Sequence, residues 1–272
     1  MKLKFIIMFI TTFVLSICLY LYLIKGSIYV GDMQVFMDNK IVHRGAFTDI
    51  IPENSLGAFE KAIEENYIIE FDVMLTRDNK VIVFHDDNFK RLTGLDKEVK
   101  DTTYYEVENL RINNTNEKIP LLKEALDVID GRVPIFIEIK STDINDIQVV
   151  EEVYEILKDY SGEYVIQSFN PFILRWLKEN APNVIRCQLS GDFSNEKLEW
   201  YKKFILKNLL LNFLSRPHIV AYELGSSNNL SFNLIKDSIP VILWTIKNES
   251  EMNYAISKAS NVIFDYNMLQ KE

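Results

Sequence analysis

Short runs of β-branched and other apolar residues alternate along most of the chain with longer segments of helical spacing. The apolar runs predict strands at Ile41–Arg44, Ile68–Val73, Pro134–Lys140, Tyr164–Ser168, Val184–Leu189, Ile219–Glu223, Val241–Thr245 and Val262–Asp265. Helical spacing is clearest at Ser55–Asn66, Ile147–Leu157 and Glu249–Lys258. Strands that alternate with helices form parallel sheets, because each helix carries the chain back across the sheet. Eight such strands after Lys40 predict a (β/α)₈ TIM barrel.

A ninth apolar run, Val81–Phe84, also fits a strand. Only Thr76–Lys80 separates it from the strand before, and a parallel crossover needs about a dozen residues or more. This short segment is rich in turn-forming residues, so we interpret the two runs as a hairpin. The second barrel strand then passes the rim of the barrel and returns. The hairpin leaves eight barrel strands, and it predicts that His85 lies beside Glu70 and Asp72.

The N-terminal part of the chain is strongly apolar. Phe5–Ile24 is a 20-residue run that only two threonines and one serine interrupt, and a helix of this length spans the hydrocarbon core of a bilayer. Lysines precede the run, which favours a cytoplasmic N-terminus and a following domain outside the cytoplasm. A cleaved signal peptide is the alternative, because Gly26 and Ser27 would permit cleavage. Lys25, however, stands where a small residue is expected at a cleavage site.

These patterns divide the chain into three parts. Residues 1–25 are the predicted transmembrane anchor, or else the signal peptide, residues 26–39 are a linker, and residues 40–272 are the barrel domain. The protein is therefore expected to be a single-pass protein of the cell membrane, with its barrel outside the cytoplasm. The sequence gives no indication of an oligomeric state.

The charge of the barrel domain limits its partners. The first 25 residues carry three lysines and no acidic residue, so the rest of the chain holds 27 basic and 39 acidic residues, a formal charge of −12. A surface this acidic argues against a nucleic acid partner. It is compatible with a small anionic substrate that a local basic pocket holds.

Acidic residues interrupt two predicted strands near their C-terminal ends, where barrels of this kind carry their chemistry. Glu70 and Asp72 are two residues apart and therefore point to the same face of a strand. Carboxylates on one face repel each other unless a cation lies between them, and Glu138 on the next barrel strand adds a third oxygen ligand. Three such ligands suit one divalent cation, Mg²⁺ or Ca²⁺. Solvated acids are the alternative, which suits a single pair better than three acids within apolar strands.

Two of the three histidines also lie at predicted strand ends. His43 ends the first strand and His85 follows the hairpin, and such a pair can supply one general base and one general acid. His218 precedes a strand and belongs to the opposite rim, so it is assigned no role. Arg44 and Lys140 would present positive charge to a phosphate. Ion pairs with the nearby acids are the alternative for both, and the two interpretations can hold together.

The motifs resemble those of the glycerophosphodiester phosphodiesterases. The matching segments are, in order, "HRG", "PENS", "AFEKA", "EFDVMLTRDNKVIVFHDD", "FIEIK", "QSF" and "LWT", and they extend from about Ile41 to Tyr266. The resemblance implies a barrel enzyme of lipid metabolism that hydrolyses glycerophosphodiesters to glycerol 3-phosphate and an alcohol. It implies metal ligation by Glu70, Asp72 and Glu138, catalysis by His43 and His85, phosphate binding by Arg44 and Lys140, and a position near the substrate's glycerol for Trp244.

Two other functions remain open. One is another phosphodiesterase activity on the same barrel, such as a phospholipase D that acts on lysophospholipids, which a membrane anchor would suit. Its product would be a lipid phosphate, whereas the first function gives glycerol phosphate. The other is a non-catalytic binding protein at the membrane surface. The presence of every proposed acid and base in one chain argues against this last interpretation.

The segment Glu196–Arg216 is more apolar than a helix on a barrel surface needs to be. Such a helix buries one apolar stripe, but aromatic and leucine residues here cover more than half of the circumference, with lysines among them. The extra apolar residues either pack under a neighbouring loop or form a dimer contact, or they enter a membrane surface. The sequence leaves these alternatives open.

Overall fold

The computed structural model describes residues 2–141, 143–194 and 196–270. Its centre is a closed barrel of eight parallel strands, as the alternation in the sequence predicts. The barrel strands are β1 (Ile41–Val42), β2 (Ile68–Leu75), β4 (Ile135–Ile139), β5 (Tyr164–Ser168), β6 (Ile185–Ser190), β7 (Ile219–Glu223), β8 (Val241–Ile246) and β9 (Asn261–Phe264), and β3 (Val81–Val83) lies outside the barrel. We call the end at which the barrel strands finish the upper rim and the opposite end the lower rim.

The barrel closes through its shortest strand. β1 pairs in parallel with both β2 and β9, through Ile41 beside Ile68 and Ile263. The sequence predicted that this strand continues to Arg44, but regular pairing ends at Val42. Arg44 has a left-handed backbone with φ 57°, so the chain turns away from the sheet at that residue.

Side chains alternate between the inside and the outside of the barrel, as the period of a strand requires. Those directed inward, such as Ile41, Ile68 and Phe136, form one apolar cluster. Those directed outward, such as Val42 and Phe71, form a larger cluster beneath the surrounding helices. Toward the upper rim the inward positions change from apolar to polar residues, which places the polar side chains at the end of a rigid, packed core.

Eleven α-helices are present in the described residues. They are α1 (Lys2–Ile24), α2 (Leu56–Glu64), α3 (Lys90–Thr93), α4 (Tyr104–Val107), α5 (Leu122–Ile129), α6 (Gln148–Leu157), α7 (Pro171–Asn180), α8 (Trp200–Lys207), α9 (Asn212–Ser215), α10 (Leu230–Ile235) and α11 (Glu249–Ile256). The predicted helices correspond to α2, α6 and α11. α2 begins at a side-chain cap, because Ser55 Oγ accepts the Ala58 N–H at 3.2 Å.

The predicted hairpin is confirmed. β3 pairs antiparallel with the end of β2, with Val83 beside Val73. The Thr76 N–H donates to the Lys80 carbonyl at 3.0 Å and closes the turn. Asn79 takes the left-handed conformation that the turn requires, with φ 59°. The hairpin therefore extends β2 beyond the upper rim and returns the chain to it.

The segment Glu196–Arg216 forms two short helices instead of one long one. Leu209, with φ 57°, interrupts the helical backbone between α8 and α9. On the α9 side, Phe213 packs against Tyr22 of α1 with ring centroids 6.3 Å apart, so the packing alternative applies to this half. No residue of α8 is fully buried, and its exposed aromatic residues, Trp200, Tyr201 and Phe204, are the part of the segment that packing within the described chain does not account for.

Candidate active site

Three carboxylates meet near the upper rim. Asp72 on β2 lies in register with Glu138 on β4, and Glu70 precedes Asp72 by two residues on the inward face. One oxygen from each residue lies within 4.8 Å of the other two. All three residues are buried, with at most 7% of the surface of any of them exposed. The sequence predicted that these acids come together, and the fold places them together.

Hydrogen bonds from neighbouring loops and strands hold the acids in place. Glu70 accepts the Arg44 backbone N–H at 3.0 Å and Gln167 Nε2 at 2.9 Å. Asp72 Oδ2 accepts Asn54 Nδ2 at 2.9 Å, and the Asp72 N–H donates to Asn54 Oδ1 at 3.2 Å. Arg44 and Asn54 reach these positions from left-handed backbone, with φ 57° and 54°. Asn adopts this conformation more readily than most residues, which suits it to the position.

Gly45 allows the loop after β1 to lie close to α2. Its φ is +79°, and a Cβ on this residue would lie 2.9 Å from Ala58 Cβ and 3.1 Å from the Ala58 backbone. A side chain there would push the loop outward. The glycine of the "HRG" segment is therefore required for the backbone path that brings the Arg44 N–H to Glu70.

Two cations border the acid cluster. Lys140 Nζ lies 2.7 Å from Glu138 Oε1 and 3.2 Å from Asp72 Oδ1, and Arg44 Nε lies 3.4 Å from Asp72 Oδ2. The ion pairs that the sequence offered as an alternative for Arg44 and Lys140 are thus present. Burial opposes ionisation of Asp72, but the positive charge of Lys140, with smaller contributions from His85 and Arg44, outweighs it and holds the pKa of Asp72 well below its ordinary value.

The acid cluster nevertheless has more negative charge than these cations balance. Burial, together with the charges of Asp72 and Glu138, raises the pKa of Glu70 well above its ordinary value. Asp72 Oδ1 and Glu138 Oε1 are buried and accept no hydrogen bond from the described residues, although Lys140 lies at ion-pair distance. Lys140 is one cation shared between two buried carboxylates, so both oxygens can accept a further positive ligand. Oxygen ligands with an excess of negative charge fit one divalent cation.

Each histidine at the upper rim is paired with a carboxylate. His43 Nδ1 lies 2.7 Å from Asp265 Oδ1, and His85 Nδ1 lies 2.7 Å from Asp86 Oδ1. A carboxylate at Nδ1 fixes the orientation of the ring and leaves Nε2 available to a substrate. Both rings line one cavity of ≈ 1050 Å³, together with Glu70 and Glu138. The geometry is thus compatible with two positioned proton-transfer groups near one acid cluster.

A second ion-pair network connects the two sides of the cavity. Arg44 Nη1 donates to Glu53 Oε1 at 2.6 Å. Arg91 donates to both oxygens of Glu53, at 2.7 and 2.9 Å, and to both oxygens of Asp86, at 2.6 and 2.9 Å. Burial opposes ionisation of Glu53, but these hydrogen bonds and charges outweigh it and lower its pKa. The network fixes Arg44 relative to the carboxylate that orients His85.

The wall of the cavity opposite the acids is largely apolar. Its residues include Phe169, Phe193, Leu198, Leu206 and Trp244. The Trp244 and Phe169 rings meet edge to face, with centroids 5.6 Å apart. One side of the cavity is therefore charged, and the other side suits the apolar part of a ligand.

Comparison with known proteins identifies the chain. The sequence profile of the glycerophosphoryl diester phosphodiesterase family matches residues 43–265. The chain belongs to this family. The matched residues begin at His43 and end at Asp265, so they span the whole cavity.

The proteins similar to this family member include some named lysophospholipase D and others named glycerophosphodiester phosphodiesterase. Lysophospholipase D GDPD1 of Mus musculus is 31% identical over 86% of this chain and 85% of its own length. The solved glycerophosphodiester phosphodiesterase of Thermotoga maritima is 27% identical, with a TM-score of 0.66, and covers 85% of this chain and 96% of its own. A phosphodiesterase of Oleispira antarctica, solved with its product sn-glycerol-3-phosphate, shares the fold, with a TM-score of 0.72 at 22% identity, over 87% of this chain and 96% of its own.

The fold brings seven of the eight sequence-predicted residues of this phosphodiesterase family member to the cavity wall, and the eighth, Asp72, is buried beside Glu70 and Glu138. Sequence reasoning missed the residues that orient them, namely Glu53, Asn54, Asp86, Arg91, Gln167 and Asp265. Three of the segments that carry the resemblance, "PENS", "EFDVMLTRDNKVIVFHDD" and "QSF", contain four of these residues. Their polar side chains within or beside apolar elements were the available signal.

His218 lies at the lower rim, as the sequence predicts, and it makes the stability of this family member depend on pH. Burial and the positive charge of Arg186 lower the pKa of His218 to about 4. The unfolded chain takes up this proton near the ordinary pKa of 6.5, so stability is expected to fall by about 2 kcal/mol as the pH falls from 6.5 toward 4. Between these pH values the slope of Tm against pH should be shallower in His218→Gln than in the wild type. Equal slopes would show that His218 does not contribute to the pH dependence of stability.

Proposed function

We propose that the chain is a metal-dependent phosphodiesterase that hydrolyses glycerophosphodiesters to glycerol 3-phosphate and an alcohol. The observation that carries the proposal is the buried acid cluster, two of whose residues line one cavity with two carboxylate-paired histidines. Membership of the phosphodiesterase family supports the reaction class. The product found with the Oleispira antarctica enzyme supports glycerol 3-phosphate as the common part of the substrates.

Glu70, Asp72 and Glu138 would hold one divalent cation. A set of three carboxylates favours a hard ion, Mg²⁺ or Ca²⁺, over zinc, which prefers nitrogen and sulfur ligands. When bound, such an ion stabilises the charge that develops on the phosphate oxygens. The two oxygens without hydrogen bonds, Asp72 Oδ1 and Glu138 Oε1, support this assignment.

Arg44 and Lys140 would bind the phosphate of the substrate. Arg44 offers a planar set of donors, and it is already oriented by Glu53. Burial opposes the charge of Lys140, but Glu138 and Asp72 outweigh it and raise its pKa, so Lys140 stays protonated at neutral pH. The two cations would stabilise the negative charge that builds up on the phosphate in the transition state. Their ion pairs with the acids position them for this role.

His43 and His85 would divide the proton transfers between them. One takes a proton from the nucleophile, which is water or the 2-hydroxyl of the glycerol, and the other gives one to the leaving alcohol. Asp265 and Asp86 hold the two rings through Nδ1. Trp244, on the apolar wall, would lie against the carbon atoms of the glycerol.

α1 would anchor the enzyme in the cell membrane, with the barrel outside the cytoplasm. The helix is 23 residues long and apolar enough to cross a membrane by length and composition. Basic residues at its N-terminal end support the orientation. A signal sequence passes the same length test, and retention of residues 1–25 in the mature chain would distinguish the two.

Asn54 provides a test of how the acid cluster is held. Asn54→Ala is expected to lower metal affinity by roughly 10–100-fold, because Asp72 loses the amide that orients it. It should also destabilise the fold by about 1–3 kcal/mol, since a buried partner is lost and alanine must adopt φ 54°. Calorimetric titration with Mg²⁺ and thermal unfolding measure the two effects.

Asn54→Gly is the matched control, because glycine adopts the same backbone conformation without strain. Its metal affinity should fall as far as that of Asn54→Ala, while its loss of stability should be smaller. Unchanged affinity in both variants would mean that Asn54 does not orient a metal ligand.

A lysophospholipase D activity is the second candidate. The observation that favours it is the apolar side of the cavity, where Phe193, Leu198 and Leu206 would suit an acyl chain. The GDPD1 relatives carry this activity in their name. Both reactions would use the same acids and histidines and would leave the phosphate on the glycerol, and they differ in whether that glycerol carries an acyl chain.

The experiment is a panel of glycerophosphodiesters and lysophospholipids, assayed with Mg²⁺ and with Ca²⁺ and followed by ³¹P NMR. Glycerol 3-phosphate as the main product supports the first function, and a lysophosphatidic acid supports the second. If no substrate turns over with either ion, both functions are wrong.

A further inference from the structure

α1 follows the barrel wall from the lower rim to the upper rim. At the lower end of this path, the Ser27 N–H donates to the Pro217 carbonyl at 2.8 Å, just before β7 begins. At the upper end, the Tyr20 hydroxyl lies 2.7 Å from Ser231 Oγ, in the first turn of α10. α10 begins after β7 has ended, so Tyr20 lies near the upper rim. The N-terminal part of α1 therefore leaves the barrel past the upper rim.

Further contacts fix the direction of α1. Asn212 Nδ2 donates to the Ile24 carbonyl at 3.0 Å. Arg216 donates to the Tyr22 carbonyl at 2.8 Å, and its guanidinium lies 4.4 Å from the centre of the Tyr22 ring. Ile24 is buried against the barrel. The helix is thus attached along its last turn and a half, and a bilayer that it crosses must lie on the side of the upper rim.

The free part of α1 is short for a bilayer. Phe5–Leu19, the apolar part that precedes Tyr20, is exposed throughout, and its 15 residues extend about 22 Å as a helix. The hydrocarbon core is about 30 Å thick. A helix attached from Tyr20 onward can therefore span the core only if the upper rim lies at the membrane surface, with no water layer between them.

α8 presents apolar side chains at the same rim. It follows the end of β6, and Ser190 Oγ donates to the Leu206 carbonyl at 3.0 Å. The exposed fractions are 79% for Trp200, 45% for Tyr201 and 57% for Phe204. Aromatic residues with an apolar body and a polar edge are enriched at membrane interfaces. Nothing in the described chain covers this face of α8.

We propose that α8 is a second membrane contact, which together with α1 holds the upper rim and its cavity against the lipid headgroups. Leu198 and Leu206 line the cavity while Trp200 and Phe204 face outward, so this segment lies between the cavity and the bilayer. Lysines on α8 would lie among the headgroup phosphates. The proposal rests on the membrane insertion of α1 in the proposed function, and it places a lipid phosphodiester within reach of the acid cluster.

The test locates two side chains in vesicles of phosphatidylethanolamine and phosphatidylglycerol that contain the full chain. A spin label is attached at Phe204→Cys or, as the matched control at the lower rim, at Val30→Cys, which replaces a residue that is 99% exposed. Both variants carry Cys18→Ser, and the remaining Cys187 is buried. Collision with a water-soluble nickel chelate is expected to be at least about tenfold rarer at position 204 than at position 30, and collision with oxygen more frequent, because oxygen partitions into lipid.

Equal nickel collision rates at the two positions would overturn the proposal, and so would a chain that does not remain with the vesicles. Contact with a second copy of the chain would lower the collision rates with both nickel and oxygen at position 204, and this result would also overturn it. The measurement does not depend on turnover. A loss of glycerophosphodiester hydrolysis in the same vesicles would count against the proposed function, and the position of the labels would still decide the orientation.

Discussion

Glu138→Gln is expected to reduce turnover by at least about 10³-fold, because a divalent cation contributes several kcal/mol to the stabilisation of charge in the transition state. The substitution removes one ligand charge while it preserves the volume of a buried side chain. Lys140 loses its partner at 2.7 Å but keeps Asp72 at 3.2 Å. The stability of the metal-free protein should therefore change little.

The metal dependence of thermal unfolding separates this effect from misfolding. A ligand that binds only the folded state raises Tm, so saturating Mg²⁺ or Ca²⁺ should raise the Tm of the wild type and not that of Glu138→Gln. Glu155→Gln is the matched control, because Glu155 is an exposed residue of α6 whose side chain pairs with Lys158. Near-normal turnover of Glu138→Gln with an unchanged metal requirement would show that the ligand assignment is wrong.

His43→Ala and His85→Ala should each lower turnover by roughly 10²–10⁴-fold, the usual effect of removing a positioned acid or base. Each loss should appear in kcat, since the proton transfers occur after the substrate binds. The double variant should lose little more than the slower single variant if the two histidines act as a unit. Steady-state kinetics on one glycerophosphodiester, with saturating metal, measures all three variants.

His218→Gln is the control for the histidine variants. It replaces the lower-rim histidine, which does not line the cavity, so it should leave turnover at neutral pH unchanged. Strictly additive losses in the His43 and His85 double variant would contradict a shared mechanism. A single variant with near-normal kcat would remove that histidine from the proposed set.

The hydrophobic pattern was sufficient to predict the barrel, because each strand carries its own signal. β5 and β7 have the predicted bounds, and the five residues Thr76–Lys80 were enough to distinguish a hairpin from a crossover. Glu70, Asp72 and Glu138 were identifiable because charged residues within apolar strands are costly without a partner. The positions of His43, His85, Arg44 and Lys140 at strand ends indicated their roles, and the resemblance to a known family added the role of Trp244 and the reaction.

The parts that were not predicted depend on contacts between distant segments. Asn54 and Gln167 are uncharged. Each becomes a hydrogen-bond donor to an acid only when the fold places it beside an acid from a distant segment. The break in the segment Glu196–Arg216 occurs at Leu209, a residue with no particular tendency to adopt positive φ. The residues that follow the break contact α1 through Asn212, Phe213 and Arg216, and no local pattern in the sequence encodes those contacts.

The central claim is that the buried acids make the chain a metal-dependent phosphodiesterase. The most direct test is turnover of a glycerophosphodiester by the full chain before chelation, after EDTA, and after titration with Mg²⁺ or Ca²⁺. We expect EDTA to abolish formation of glycerol 3-phosphate, and one of the two ions to restore it at about one ion per chain. Turnover that persists at its original rate after complete removal of divalent cations would contradict the account.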